Sequence, residues 1–409
     1  MPFDRLERVL QAEVKKVGES GARKGDEDVI CEVHPPAGGK GPRFMLSRRG
    51  DQSFLRMNSN SYLGLSLRSE VMQAEERATR AFGAGPGAVR FISGSYQPHV
   101  DLERRLAAFH GRAAGMIFSS AYATTMGVLP ALITDQTAVI SDELNHNCII
   151  NAMRLSRPGE KHIYRHLDLA DLESKLESAA RSCRRAVIVT DGIFSMRGDW
   201  APLSEIRDLV DRHDEHFPEN AVLVVDDSHG VGAFGATGRG TEEFTGSGPV
   251  DVLVATLGKA LGVNGGYVVG SQGLVDFLRE KSAFYIYSNP ITPGEAAAAL
   301  ASLEILDSSA GRELLDHLRA MTARFEQGLV RLGFETIPGE HPVVPLMVRD
   351  TDRTKALVQH LKDNHILATG LNFPVVPKGD EEIRFQISAD HTVEDIDYTL
   401  GVLESFSAK

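Results

Sequence analysis

The 409-residue chain carries 44 Lys and Arg against 56 Asp and Glu, a formal charge of −12, which excludes a basic nucleic-acid binder. With 42 % apolar and 24 % charged residues it has the balance of a globular protein able to bury a sizeable core, not of a disordered segment. Cys31, Cys148 and Cys183 are an odd number at irregular spacing, which suits neither a disulfide framework nor a zinc site; they read as ordinary packed thiols in a reducing cytoplasm.

At the amino end, charged residues stand where a signal peptide would be apolar, and no apolar run reaches about 18 residues, so neither secretion nor a membrane span is expected. Leu6, Val9, Leu10, Val14 and Val17 repeat at helical spacing and predict an amphipathic helix lying on the body. Pro35 to Pro42 reads as a loop, since Pro and Gly supply special φ angles and no core side chains. Gly83-Ala-Gly85-Pro-Gly87 is no dinucleotide fingerprint, because a helical pattern rather than a strand precedes it.

From residue 116 onward, short apolar runs alternate with helical patterns. The runs 116–118, 138–141, 186–190, 221–225, 252–256 and 267–270 predict strands of a mostly parallel sheet. Segments 169–180 and 203–212 are long enough for the crossover helices such strands need. After Pro293 the pattern turns to long helices, 296–306 and 314–332, with isolated strands at 343–348 and 383–387, as in a smaller α+β domain.

Two runs carry chemistry. In Val252-Leu-Val-Ala-Thr256-Leu-Gly-Lys259-Ala-Leu-Gly262 a strand leads to a lysine bracketed by glycines; taken alone, this reads as readily as a solvated surface lysine. In Ala221-Val-Leu-Val-Val-Asp226-Asp-Ser-His229 polar groups emerge at the carboxyl end of a buried strand, where ligands of open α/β sheets bind, although an acid and a histidine three apart can also cap a helix. Together they match the needs of pyridoxal 5'-phosphate: an amine for a Schiff base and a carboxylate that keeps the ring nitrogen protonated. Phe118-Ser-Ser-Ala121-Tyr122-Ala-Thr124 adds a strand, a turn and a helix start able to seat a phosphate.

These runs resemble the α-oxoamine synthase family over most of the chain. Similar to the family are Asn60-Ser-Tyr-Leu-Gly64, Asp142-Glu-Leu-Asn-His146, Asp191-Gly-Ile-Phe-Ser195, Asp226-Asp-Ser-His229, Thr256-Leu-Gly-Lys259 and Ile383-Arg384-Phe-Gln-Ile. The resemblance implies a fold-type I α/β transferase with a mostly parallel central sheet flanked by helices and a smaller α+β domain built from both termini. The expected bounds are 1–58 for a terminal segment packing with the small domain, 59–293 for the large cofactor domain and 294–409 for the carboxyl-terminal domain.

It further implies that Lys259 carries the cofactor and then takes the α-proton of the substrate, and that Asp226 pairs with the ring nitrogen. His229 and Ser195 would hydrogen-bond the phenolic oxygen, while His146 would stack on the ring and supply a donor to the thioester oxygen. The amides of Ala121 and Tyr122 and the Thr256 hydroxyl would hold the phosphate, with Ser288 entering from a neighbouring subunit of a homodimer with shared active sites. Arg384, assisted by Asn60, would bind the substrate carboxylate; without the motif around it, Arg384 would be an edge-strand surface charge.

The implied reaction condenses glycine, or another small amino acid, with a short acyl-coenzyme A in the cytoplasm. Val89-Arg90-Phe-Ile-Ser-Gly94, Tyr287-Ser288-Asn289 and Phe373-Pro-Val-Val-Pro-Lys378-Gly favour the glycine-using branch. Asn147-Cys148, Arg197, Ser61, Ala121 and Pro290 depart from the family pattern and keep a different amino acid or a longer acyl chain open. A non-catalytic partner subunit is the rival from another class, and the presence of Lys259 speaks against it.

Overall fold

The computed structural model describes residues 3–19, 27–373 and 375–407, so Pro374 of the runs quoted above lies outside it. The chain divides into two compact units. The larger comprises Asn60–Ala320 with Glu340–Pro342, and the smaller takes the described residues up to Ser59 together with Met321–Gly339 and the chain from Val343 onward. The larger unit therefore runs past the expected limit of 293. Helix Pro293–Leu306 packs on helices Ser69–Phe82 and Gln97–Phe109, and its buried Ala296, Ala298, Ala299 and Ser302 are small enough for close approach. Its start is fixed by a reciprocal cap, in which Thr292 Oγ1 accepts the Glu295 N–H at 3.0 Å and Glu295 accepts the Thr292 N–H at 2.7 Å.

The described strands, in chain order, are β1 (Ile30–His34), β2 (Arg43–Leu46), β3 (Ser53–Arg56), β4 (Ala114–Phe118), β5 (Thr137–Asp142), β6 (Glu160–Tyr164), β7 (Arg185–Asp191), β8 (Ala221–Asp226), β9 (Val252–Thr256), β10 (Gly266–Gly270), β11 (Glu335–Thr336), β12 (Val343–Met347), β13 (Ile366–Leu367), β14 (Thr369–Leu371) and β15 (Glu382–Gln386). The larger unit holds the sheet β4-β10-β9-β8-β7-β5-β6, in which β10 runs antiparallel to both neighbours and the remaining pairs are parallel. Alternate residues such as Val187, Val189, Val224, Val254 and Val268 turn to one face and form a core under helices Ala121–Leu132 and Asn147–Leu155.

In the smaller unit, β12 and β15 are not isolated, as their spacing suggested. They pair antiparallel in the sheet β11-β12-β15-β14, because each buries residues on both faces and needs a neighbour for its backbone groups. A second sheet, β1-β2-β3-β13, joins the two ends of the chain. The amino-terminal helix forms over Asp4–Glu19, but it does not lie down on the body: none of its residues is buried, and Leu6, Val9, Leu10, Val14 and Val17 are all exposed. Of the three thiols, Cys148 and Cys183 are buried while Cys31 is exposed, contrary to the expectation that all three pack.

Candidate active site

Three parallel strands end in carboxylates: β5 in Asp142, β7 in Asp191 and β8 in Asp226. Asp191 and Asp226 stand side by side in the ladder. This is the carboxyl edge at which open α/β sheets bind ligands. Asp226 is buried, and its two oxygens are served differently. Oδ1 accepts the Ser228 N–H at 3.2 Å, whereas Oδ2 accepts the Thr125 hydroxyl at 3.2 Å and faces the Cys148 thiol at 3.6 Å. Burial, then the charge of Asp226, raises the Asp191 carboxyl well above its ordinary range, against the opposing pull of the His146 N–H and of Lys259.

His146 is placed by that pair of strands. Its backbone N–H donates to Asp191 Oδ2 at 2.8 Å, and its Nδ1 caps helix Asn147–Leu155 by accepting the Cys148 N–H at 3.2 Å. Desolvation of the ring lowers its basicity; Asp226 opposes that fall and Lys259 adds to it, while part of the residue stays open to solvent. Both charges are thus near enough to be felt at the imidazole. Lys259 sits three residues beyond β9 in a tight loop, half-buried, with its carbonyl accepting the Gly262 N–H at 3.0 Å and the loop closed by Leu257 N–H to Gly265 O at 3.0 Å.

His229 is buried in the turn after β8, its Nδ1 2.7 Å from the Tyr62 hydroxyl and its carbonyl accepting from His341 Nε2 at 2.9 Å. Tyr62 is fully buried, and its hydroxyl lies 3.3 Å from Asn60 Oδ1, so Asn60, Tyr62 and His229 form one chain of contacts. Ser195 is half-buried on the turn that follows β7, and Ser288 is half-buried next to Tyr287, which is 78 % exposed. Arg384 belongs to the smaller unit, half-buried on β15 opposite Pro345 and Thr369.

The start of helix Ala121–Leu132 is a candidate anion seat. Ser120 caps it by accepting the Ala123 N–H at 3.0 Å, and the first amides of a helix, here those of Ala121 and Tyr122, have no intrahelical acceptor. Gly266 of β10 presses against this turn so closely that a Cβ would fall 2.2 Å from Ala121 N. Thr256 Oγ1 donates to Gly265 O at 3.2 Å and accepts the Gly258 N–H at 3.0 Å. The exposed Tyr122 side chain turns to helix Asn147–Leu155, where its hydroxyl donates to Asn147 Oδ1 at 3.0 Å and accepts from Asn151 Nδ2 at 2.6 Å.

Several residues that matter here were not singled out from the sequence. Asn145 donates through Nδ2 to Ser141 Oγ and Val189 O, both at 2.8 Å, and accepts the Asp191 N–H at 2.8 Å, tying the ends of β5 and β7 together. His166 bridges Asp142 at 3.0 Å and Asp199 at 3.3 Å. Burial pulls that imidazole down, but the two carboxylates outweigh it and raise it to about 9. Thr125, one helical turn beyond the anion seat, could have been found from the i+4 spacing after Ala121, which puts both on one face.

The residues present fit a phosphorylated pyridine aldehyde: an amine on a tight loop, a buried carboxylate for a ring nitrogen, an imidazole between them in sequence, and unpaired helix amides for a phosphate. A model of the family described as aminotransferase class I and II matches residues 52–403. The chain is 39 % identical to 8-amino-7-oxononanoate synthase of Thermosipho melanesiensis over 87 % of its length and 88 % of that protein. It is 40 % identical to the mitochondrial 2-amino-3-ketobutyrate coenzyme A ligase of Bos taurus over 88 % of its length and 85 % of that protein. The structure is similar to serine palmitoyltransferase of Sphingomonas wittichii, with a TM-score of 0.88, 27 % identity, and coverage of 100 % of this chain and 97 % of that one. The serine palmitoyltransferase of S. paucimobilis solved with a bound PLP–myriocin aldimine is similar over 99 % of this chain and 98 % of its own, with a TM-score of 0.86 and 25 % identity.

Proposed function

From the premise that this chain belongs to the aminotransferase class I and II family, and within it to the pyridoxal-phosphate-dependent α-oxoamine synthases, we propose that it joins glycine, or another small amino acid, to a short acyl-coenzyme A. Coenzyme A leaves, and an α-amino ketone or 2-amino-3-oxo acid remains. The observation that carries this reading is the gathering of Asp226, Asp191, His146 and Lys259 at one edge of the sheet, where the charges of Asp226 and Lys259 are felt at both His146 and Asp191.

When bound, pyridoxal 5'-phosphate supplies the sink for the electron pair of the amino acid's α-carbon. Lys259 Nζ would hold it covalently and, once displaced by the substrate amine, take the α-proton. Asp226 would face the ring nitrogen as a carboxylate, its Oδ2 oriented by Thr125. His229, held by Tyr62, and Ser195 would serve the phenolic oxygen, and His146 would lie against the ring and donate to the thioester oxygen as charge develops there. The Ala121 and Tyr122 amides would hold the phosphate, and Thr256 would turn its hydroxyl from Gly265 O to join them. Arg384, a planar two-pronged donor, would take the substrate carboxylate, a task in which Asn60 would assist.

A homodimer in the cytoplasm completes the reading, with Ser288 contributed across the interface. Tyr287, Phe91 and Ile92 are 78 %, 64 % and 66 % exposed, apolar surface that a second copy would cover. Runs such as Val89 to Gly94 and Tyr287 to Asn289 support a ligase-like choice of glycine and an acetyl donor. A different amino acid with a longer acyl chain is the second reading, supported by the 8-amino-7-oxononanoate synthase relative at 39 % identity against 40 % for the ligase. Free-thiol release by the cofactor-loaded protein, followed in parallel with glycine, alanine and serine against acetyl and longer acyl donors, separates them. Fastest release with glycine and acetyl-coenzyme A is expected; turnover of another pair alone would reassign the substrates.

A further inference from the structure

The sulfur of Cys148 sits between the two groups that matter most at the sheet edge. Its Sγ is 2.9 Å from His146 Nδ1 and 3.6 Å from Asp226 Oδ2, and the Cys148 backbone N–H donates to that same Nδ1 at 3.2 Å. The side chain is almost wholly buried at 2 % exposure. The nearby groups are Asp226 and Asp191 from the strand ends, Thr125 from helix Ala121–Leu132, and Lys259, whose charge reaches the ring. Burial, then the two carboxylates, pushes the thiol up, so the sulfur carries its proton throughout the working pH range.

The thiol has one proton, directed to Asp226 Oδ2, while the donor to Nδ1 is the Cys148 backbone N–H. An imidazole nitrogen that accepts a backbone N–H is the bare nitrogen of the neutral ring, so the proton of His146 rests on Nε2 whatever side chain stands at 148. The thiol also stands beside the Asp226 oxygen that accepts from Thr125. We infer that Cys148 is a positioning residue: its thiol proton shares with Thr125 the orientation of Asp226, while its sulfur packs against the Nδ1 edge of His146. This rests on the reading of His146 and Asp226 as cofactor contacts. It gives the sequence departure at Asn147-Cys148 a physical role, for a shorter apolar side chain at 148 could make neither contact.

The test compares Cys148→Ser, which keeps a donor, with Cys148→Ala and the apolar Cys148→Val, all as cofactor-loaded enzyme. A pH titration of the cofactor's visible absorbance reads the field from Asp226, and nitrogen-15 spectra of the histidine-labelled protein read the His146 tautomer as a control on the fold of the site. In the wild type and the serine variant the same titration midpoint is expected, with Nδ1 bare. In the alanine and valine variants Nδ1 is expected to stay bare, since the backbone N–H remains, while the midpoint moves by about half a unit to one unit and kcat falls about two- to tenfold with KM for the acyl donor unchanged.

An unchanged midpoint in both apolar variants would overturn the proposal and leave Cys148 as packing. A serine variant that falls with the apolar pair would do the same, and should alanine not hold the fold, the serine and valine pair decides. Neither spectroscopic reading depends on which amino acid or acyl donor is used, and a protein with no visible band would fail the cofactor reading instead.

Discussion

Asp226 and Asp227 are adjacent, both buried, and both follow the same run of apolar residues, yet their surroundings differ in kind. Asp226 draws its donors from separate elements: Thr125 from one helix, the Cys148 thiol from another, and Ser228 from the turn. Asp227 is clasped by one residue, with Thr241 N–H and Oγ1 each donating at 2.7 Å. Gly240, at φ +89°, lies so close that a Cβ would fall 1.9 Å from Asp227 Oδ2. One carboxylate is held where separate elements meet and the other is sealed into a turn. The difference teaches that a buried acid serves chemistry when several elements converge on it, and serves the scaffold when a single loop closes around it.

The largest expected effect breaks the pair apart by function. Asp226→Asn should lower turnover at least about a hundredfold with little change in melting temperature, because it removes the charge proposed to face the cofactor. Asp227→Ala should do the reverse, costing about 2 to 4 kcal/mol of stability in a denaturant titration, since it strips both Thr241 donors of their acceptor in a buried turn. If Asp227→Ala lost activity without losing stability, the assignment of the two carboxylates would be reversed.

A similar contrast holds for the histidines. His166 is bound to Asp142 and Asp199, and its basicity is raised to about 9 from 6.5 in spite of burial. Its contribution is therefore fully present below about pH 6.5 and lost as pH rises through about 9. His166→Gln should destabilise by about 1 to 2 kcal/mol at pH 6, with the gap to the wild type closing toward pH 10 in melting curves. A gap independent of pH would mean that the imidazole is held by packing alone. The smallest effect is expected for Thr241→Val, about 1 kcal/mol, as one of the two donors to Asp227, the backbone N–H, survives the change.

Much of the sheet was legible because its strands are runs of buried Val, Ile and Leu ending in polar residues, a pattern that periodicity detects. The edge strand β6 was not, since Glu-Lys-His-Ile-Tyr alternates charge and covers only one face. The larger unit runs past 293 because Ala296 to Leu306, with Glu304 its one exposed charge, gives little signal of which unit it joins, and its small buried side chains pack on helices Ser69–Phe82 and Gln97–Phe109. Among the candidate site residues, those next to glycines or strand ends stood out by type and place. Tyr62, Thr125 and Asn145 did not, because their hydroxyl and amide groups act on residues tens of positions away, and spacing holds no trace of such partners. Cys148 was read as an ordinary thiol for the same reason: its neighbours His146 and Asp226 meet only once β8 and helix Asn147–Leu155 are packed.

The central claim is that the cofactor is anchored at the sheet edge marked by Asp226, on Lys259. Borohydride reduction of the loaded enzyme followed by peptide mass spectrometry tests it most directly. The account predicts a single pyridoxyl mark on the peptide that carries Lys259, lost in Lys259→Ala along with coenzyme A release. A mark on another lysine, or coenzyme A release undiminished in Lys259→Ala, would contradict it.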